Sequence, residues 1–579
     1  MIDIPRYLLI GAIAVLSYML LIEWSKFDPE AAVKANQQTQ ASAQQPSSTN
    51  PTSDFARDTI ASSAEVPDTA EMSADIPSAA EFSQADMPGE PTTQVMQIDG
   101  LITVKTDVLN VLIDPNGGDI IEASLPKHYA ELETPDVAFK LLEQGPRRTF
   151  IAQSGLSGPN GTDTAKGRPQ FEASSENFSL ADGQDSLQVD LRFTQDNGVT
   201  VVKRYTFTRG EYLIDLDYIV NNNSNSKWQA ALFTQLKRDN SKDPSSESSS
   251  ALGMQPFLGA AYTSPEKRFN KLRLGKIQDG DDINLNMNNA WAGIIQHYFV
   301  AAWISPPEQT SNIRVFATRT GQNMSRVSQG IQTIESGESG TLSAKLYAGP
   351  KDQYRLEEIS SGLELTVDYG ILWWIAQPLF WLMVKIHSVL GNWGFTIISV
   401  TLLVKICFFQ LNATAFKSMA NMRRVQPKLV ALKERYGDDK AKQSQEMMAL
   451  YKKEKINPLG GCLPMLVQMP VFIALYWVLM ESVELRHAPW ILWIEDLSTL
   501  DPYFILPLLM GASMFIQQKL NPPPPDPMQA KVMQILPVIF TVFFLFFPAG
   551  LVLYWVVNNV LSIAQQYVIT KNIEKNAAK

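Results

Sequence analysis

The stretch that decides this fold is 393–411, WGFTIISVTLLVKICFFQL, an apolar run that carries Lys405 two-thirds of the way along. A cation at the centre of a membrane helix costs roughly 2.5–3.5 kcal/mol on insertion scales, so Lys405 is expected to face water or a polar partner within the membrane. The next segment is strongly basic. Residues 414–460 hold eleven Lys or Arg against five acids, whereas 484–501 hold one Arg against four. Positive charge gathers on the cytoplasmic side of membrane proteins, so the first loop reads as cytoplasmic and the second as external.

Working outward, apolar runs of spanning or near-spanning length occur at about 393–412, 463–482, 502–519, 533–548 and 550–569, a five-span core within 393–570. The segment 371–387 (ILWWIAQPLFWLMVKIH) is apolar enough to be a further span. Trp373, Trp374 and Trp381 beside Gln377, Pro378, Lys385 and His387 suit an amphipathic helix lying at the interface. The charge balance of the loops requires that it does not cross, which places it on the outer surface. Between the first two spans of the core, Lys417 to Tyr436 and Lys440 to Lys455 read as an αα-hairpin within 414–460. Met419, Met422, Val425, Leu429 and Leu432 form its apolar stripe. Arg423, Arg424, Lys428, Lys433 and Arg435 are either a solvated face or a docking surface for acidic headgroups, ribosomal RNA or a nascent chain. The tail 571–579 is short and basic.

The first half of the chain is different material. Tyr7 to Ile22, preceded by Arg6 and followed by Glu23-Trp24 with no small-residue cleavage site, reads as a retained transmembrane anchor (1–24) rather than a signal peptide. Residues 25–97, rich in Ala, Ser, Gln, Pro and Thr, form a disordered tether. From 98 to 355 short alternating runs are bounded by Gly, Asn, Asp and Pro. Leu187, Val189, Leu191 and Phe193 alternate with polar neighbours, as do Tyr212, Ile214, Leu216, Tyr218 and Val220, and then Leu342, Ala344, Leu346 and Ala348. This is the pattern of half-buried strands in a large antiparallel sandwich of two sheets.

The net charge of −10 is concentrated before Gly370, so the whole-chain value says little about partners of the basic second half. Two cysteines, Cys407 and Cys462, have no CxxC companion, and the four histidines are scattered, which gives no disulfide framework and no metal site. Gly460-Gly461 lacks a following Lys-Ser or Lys-Thr and is no phosphate loop. The residues give no reason to expect a cofactor or catalytic group.

The order of WGFTIISVTLLVK (393–405), SQEMMALYKKEKINPLGGCLPMLVQMPVFIALYWVL (444–479), SVELRHAPWILWIEDLSTLDPYFILPLLMG (482–511) and LPVIFTVFFLFFPAGLVLYWVVNN (536–559) resembles the YidC/Oxa/Alb membrane-protein insertases, specifically the Gram-negative YidC type. The anchor, tether and β region, including WAGIIQHYFVAAWI (291–304), resemble the periplasmic part of the same proteins. The resemblance implies a multidomain membrane protein: an N-terminal anchor, a large periplasmic all-β supersandwich, and an α-helical five-span core with a cytoplasmic αα-hairpin. It implies a non-enzymatic insertase and chaperone of the bacterial inner membrane, with the C-terminus cytoplasmic. Its implied partners are nascent membrane proteins, the Sec translocase (SecYEG with SecDF), the ribosome and anionic phospholipids.

The implied groove is open to cytoplasm and lipid and holds one positive charge. Lys405 matches that charge, where members of this type usually carry arginine. The departure keeps the attraction and loses the planar bidentate fork. Thr401, one turn earlier, and Gln468 in VQMP are the expected polar lining, unless they serve only as interhelical hydrogen bonds. Phe472 and Phe543 match the faces along which a client slides, though apolar residues there are more often plain packing. Trp555 stands where relatives often have tyrosine. Ser513, Gln517 and Gln518 hydrate the groove mouth or snorkel to the interface.

Two other classes are weighed. A secondary transporter also buries a cation among helices, but neither an inverted repeat nor a second ionisable residue within the spans is evident. An envelope scaffold acting through the β domain would use the helices only as an anchor.

Overall fold

A computed structural model describes residues 100–164, 166–246, 256–437, 439–454, 463–521 and 527–577. The expected anchor (1–24) and tether (25–97), Cys462, the breaker at 457–461 and the side chain of Lys433 lie outside the described residues.

Residues from Ile102 to Pro350 form two large sheets. An eleven-stranded sheet has Trp228–Arg238 and Thr149–Ser157 near its centre. A nine-stranded sheet has Ser339–Pro350 and Leu213–Asn221 near its own. Most pairings are antiparallel, as the short alternating runs require. In the nine-stranded sheet Ile214 faces Phe207, Leu216 faces Tyr205 and Val220 faces Val201, and all six are buried. A slip of one residue would turn this whole set to the opposite face, so the alternation itself holds the register. The core joins side chains of both sheets, among them Ile113 and Leu232 from one and Leu216, Leu346 and Trp303 from the other. The Trp303 indole crosses between them, donating to the Gln235 carbonyl at 3.0 Å.

The domain also buries charge that the sequence reading did not single out. Arg168 pairs with both Asp119 and Asp163, and Lys203 beside them donates to the Gly117 carbonyl at 2.9 Å. Desolvation pulls the Lys203 ammonium down to about 7. Every one of these groups has an internal partner, and the cluster holds the sheets together.

Two short helices belong to this domain, α1 (Leu274–Gln278) and α2 (Gln353–Ile359). Eight come after them: α3 (Trp373–Leu390), α4 (Trp393–Cys407), α5 (Phe409–Arg435), α6 (Lys440–Lys453), α7 (Leu463–Glu481), α8 (Ile505–Leu520), α9 (Pro527–Phe544) and α10 (Ala549–Ala577). Helix α3 buries Ala376, Leu379, Phe380 and Met383 while exposing Trp373, Trp374 and Trp381, so it is two-faced. It ends at Gly391, whose φ of 64° suits a residue without a Cβ. The next residue, Asn392, caps α4 by accepting the Phe395 N–H at 3.1 Å. Gly-Asn therefore closes one helix and opens another.

The helices divide this half of the chain differently from the apolar runs. The run read as one span over 393–412 ends at Cys407, and the chain turns by 67° into α5. That bend has no Pro or Gly at it. Phe408 sits at φ −90° and ψ 9°, outside helical values, and the Phe409 carbonyl beside it accepts from the Gln565 side chain at 3.1 Å. The first hairpin helix, expected from Lys417, thus continues directly from the bend. The second stops at Lys453. Helix α9 spans Pro527–Phe544 rather than 533–548. Helix α10 runs on through the residues read as a separate tail. By length and hydropathy no single described helix is long and apolar enough to cross a membrane, although the bent pair α4 and α5 together meet that test. At 1.5 Å per residue the fifteen residues of α4 reach only about 22 Å, short of a hydrocarbon core of about 30 Å. Finally, Glu481 closes α7 inside the run read as free of a second ionisable group, where it is buried against Lys351.

Candidate functional site

Four helices converge on Lys405. Helix α4 supplies the lysine, α7 supplies Gln468 and Phe472, and α10 supplies Tyr554, Trp555, Asn558 and Ser562, with Met514, Gln517 and Gln518 of α8 nearby. Together with parts of α5 and α9 they line a partly open cavity of about 270 Å³. Tyr554, Asn558 and Ser562 are spaced i, i+4, i+8, which lays them along one face of α10.

The Lys405 side chain is 8% exposed, and its ammonium donates to Ser562 Oγ at 2.7 Å and Gln468 Oε1 at 3.3 Å. Gln468 completes the chain by donating from Nε2 to Asn558 Oδ1 and, at 3.5 Å, to the Tyr554 hydroxyl. The Ser562 hydroxyl in turn donates to the Asn558 backbone carbonyl at 2.7 Å. Among the described residues no carboxylate stands within ion-pair distance of Lys405. Its partners are neutral acceptors, which solvate the ammonium without cancelling its charge. An ion pair would have done both.

Much of the remaining wall is apolar and soft, with Gln517, Gln518 and Asn521 among its polar members. Phe472 packs edge-on against Trp555 at 4.7 Å and near-parallel to Tyr554 at 6.0 Å. Met419, Met469, Met514 and Met533 line the same space. Methionine is unbranched and polarisable, so such a wall accommodates differing side chains. The cavity thus combines a cationic, polar cluster with adaptable apolar side chains. That combination suits a polypeptide segment carrying both kinds of residue.

The structure brings Lys405, Gln468, Phe472 and Trp555 together. It separates two others of the expected set. Thr401 is buried and donates to its own helix at Ile397 O, 2.6 Å, away from the cavity lining. Phe543 packs on Phe544 and Phe547 and is 44% exposed, also outside the lining. Gln517 and Gln518 line the cavity, while Ser513 is buried and accepts from Asn559 at 3.0 Å. Asn558, Asn559 and Ser562 were missed by sequence reasoning. The signal was present as the polar Tyr554-Asn558-Ser562 spacing within the apolar first half of α10.

In the hairpin, Val425, Leu429 and Tyr451 are buried between α5 and α6, with Met422 and Met447 against them. The apolar stripe is therefore largely consumed within the hairpin. Arg423, Arg424, Lys428 and Arg435 are at least partly exposed. Lys428 pairs with Glu454 at 2.6 Å and Arg435 lies over Tyr436, leaving Arg423 and Arg424 as the freest of the described cations of the expected docking set.

The comparisons with known proteins agree along the whole chain. A family model described as the 60Kd inner membrane protein matches residues 385–576, and one for the YidC periplasmic domain matches 101–382. Membrane protein insertase YidC of Pseudomonas putida (strain GB-1) is 50% identical over 578 residues, spanning 100% of this chain and 99% of that protein. The protein of the same name from Stutzerimonas stutzeri (strain A1501) is 49% identical over 575 residues, with 99% of each covered. A crystal structure of active YidC insertase with its first transmembrane domain resolved matches at a TM-score of 0.37 and 17% identity, covering 82% of this chain and 93% of that one, a likeness too slight to add to the sequence evidence. By identity over its full length, this chain belongs to the YidC family of inner membrane proteins.

Proposed function

We propose that this chain, a membrane protein insertase, works by drawing the polar exported segment of a client into the Lys405 cavity while the adjoining apolar helix passes into lipid. The observation that carries the reading is a buried ammonium held only by neutral acceptors among the described residues. Such a charge attracts acidic or polar residues of the client and offers them a solvated midpoint, which shortens the low-dielectric path to the far side. Transfer of the following apolar helix into lipid supplies the drive, at roughly 25 cal/mol per Å² of apolar surface removed from water. A step of this kind needs no nucleotide.

The arrangement in the membrane belongs to the same proposal. Helices α4 and α7–α10 form the five-span core, α3 lies on the outer surface with its tryptophans at the interface, and the hairpin α5/α6 and the C-terminus are cytoplasmic. The bend after Cys407 supports this: it ends the short helix α4 just past Lys405 and redirects the chain into the basic hairpin. The Sec translocase for larger clients, the ribosome and anionic phospholipids are partners on this reading, with Arg423 and Arg424 as the surface that meets acidic groups.

A photocrosslinking amino acid at Phe472 tests the site directly. A ribosome-stalled nascent membrane protein should crosslink there, and more strongly than at Phe543, which lies outside the cavity lining. Equal yields at both positions, or none at Phe472, would contradict the cavity as the client path.

A further inference from the structure

Helix α7 carries the cavity residues Gln468 in its first half and Phe472 at its middle, and its C-terminal end is held by the β domain. Lys351, immediately after the strand Ser339–Pro350, places its ammonium 2.7 Å from Glu481 Oε2, with side chains 2% and 8% exposed. It also reaches the Thr366 carbonyl at 3.4 Å. One residue before Glu481, the Met480 carbonyl lies 2.8 Å from Nε2 of His297, in the turn between the strands Trp291–Ile295 and Phe299–Ile304. A carbonyl only accepts, so the proton sits on Nε2. Burial keeps the imidazole below its ordinary pKa, in keeping with a neutral ring that donates one hydrogen bond. Two residues beyond Glu481, Val483 packs into the apolar core of the β sandwich.

These contacts fall where a helix most accepts them. Its last carbonyls lack partners within the helix and carry partial negative charge, which favours a cation and a donor there. A buried ion pair by itself adds little net stability, because desolvation offsets its attraction. Its best-attested use is to fix register. From Gln468 to Glu481 is thirteen residues, or about 20 Å of helix at 1.5 Å per residue. Pro470 lies inside α7 and removes one of its hydrogen bonds, so the segment from Val471 to Glu481 is the part held rigidly, and it includes Phe472.

We propose that Lys351 and His297 are positioning residues for the insertase cavity: they hold the end of α7 and so set the height and rotation of Phe472 against Lys405. The proposal rests on the reading of that cavity as the client path. It makes the β domain a mechanical part of the insertase, acting through one buried ion pair and one imidazole.

The test uses the full-length protein in reconstituted vesicles, with spin labels at half-buried Ile473 on α7, beyond Pro470 and outside the cavity lining, and at exposed Val560 on α10. Lys351→Glu and Glu481→Lys should each broaden the label-to-label distance distribution and slow client insertion several-fold, at unchanged abundance in the membrane. The double exchange should restore both. Single variants that keep the narrow distribution, or an exchange that fails to restore it, overturn the proposal. If the charge variants do not accumulate, Lys351→Met and His297→Gln are read with the same label pair, and an unchanged distribution again overturns it. Normal insertion by Lys405→Glu would instead defeat the cavity reading, while the distance measurement still decides whether these contacts hold the helix.

Discussion

Lys405 and Ser562, 157 residues apart in sequence, meet at 2.7 Å inside the helical region, ammonium to hydroxyl, with no acidic partner among the described residues. The hydroxyl holds the charge in place without neutralising it. Lys405→Arg keeps the charge and should support insertion. Lys405→Glu reverses it among groups suited to a cation. A hydrogen bond involving a charged group contributes about 1.5–3 kcal/mol, so insertion should fall roughly tenfold or more. Growth of a strain depleted of its native insertase measures this, and equal complementation by both variants would count against an electrostatic role.

Close helix approach gives a second expectation. A Cβ built at Gly511 would fall on the Thr541 hydroxyl of α9, and one at Gly394 would fall on the Trp490 ring. Small residues let helices touch where no hydrophobic effect drives them together. Gly511→Val should separate α8 from α9 at a cost of about 1–3 kcal/mol, in the range of overpacked cores. Thermal unfolding in detergent should show a lowered midpoint, and an unchanged one would mean that the pair gives way freely.

The hairpin makes a prediction about salt. Arg423→Glu with Arg424→Glu should weaken flotation of the protein's hairpin face with anionic vesicles, and the difference from wild type should shrink as ionic strength rises, because exposed charges are screened within about 10 Å at 0.1 M salt. Lys428→Ala should do less, since Lys428 already pairs with Glu454. Equal losses from both changes would remove the distinction.

Acid sensitivity is expected from two histidines at the β domain's edge. Burial, then the nearby Arg486 guanidinium, lowers both His128 and His487 to about 4 from 6.5. In the unfolded chain they protonate near 6.5. Between pH 6.5 and 4 the unfolded state therefore binds more protons, so stability is full above this window and is lost as pH falls through it. His128→Asn with His487→Asn should flatten the fall in melting temperature from about pH 6.5 to about 4. Parallel curves for variant and wild type would refute the assignment.

How far the site was legible differs residue by residue. Lys405 stood out because one charge in an apolar run has few explanations, and Gln468 and Phe472 came with a recognisable motif. Ser562 and Asn558 did not stand out. Polar residues at helical spacing are common, and only the crossing of α4, α7 and α10 shows that these face the ammonium. Thr401 looked equivalent to them by spacing from Lys405, but its hydroxyl is spent on the carbonyl one turn back.

Local periodicity alone determined the division of this chain. Alternation of apolar and polar residues made two sheets of the first half and set their register, because each strand's face is written in its own neighbours. Long apolar runs with basic and acidic loops between them marked the helical half. Tertiary structure decided the rest: the bend after Cys407, which no proline or glycine announces, the neutral acceptors around Lys405, and the pairing of Lys351 with Glu481 across 130 residues. Contacts at such separations are set by how finished elements pack, and no pattern within a single turn or strand carries that information.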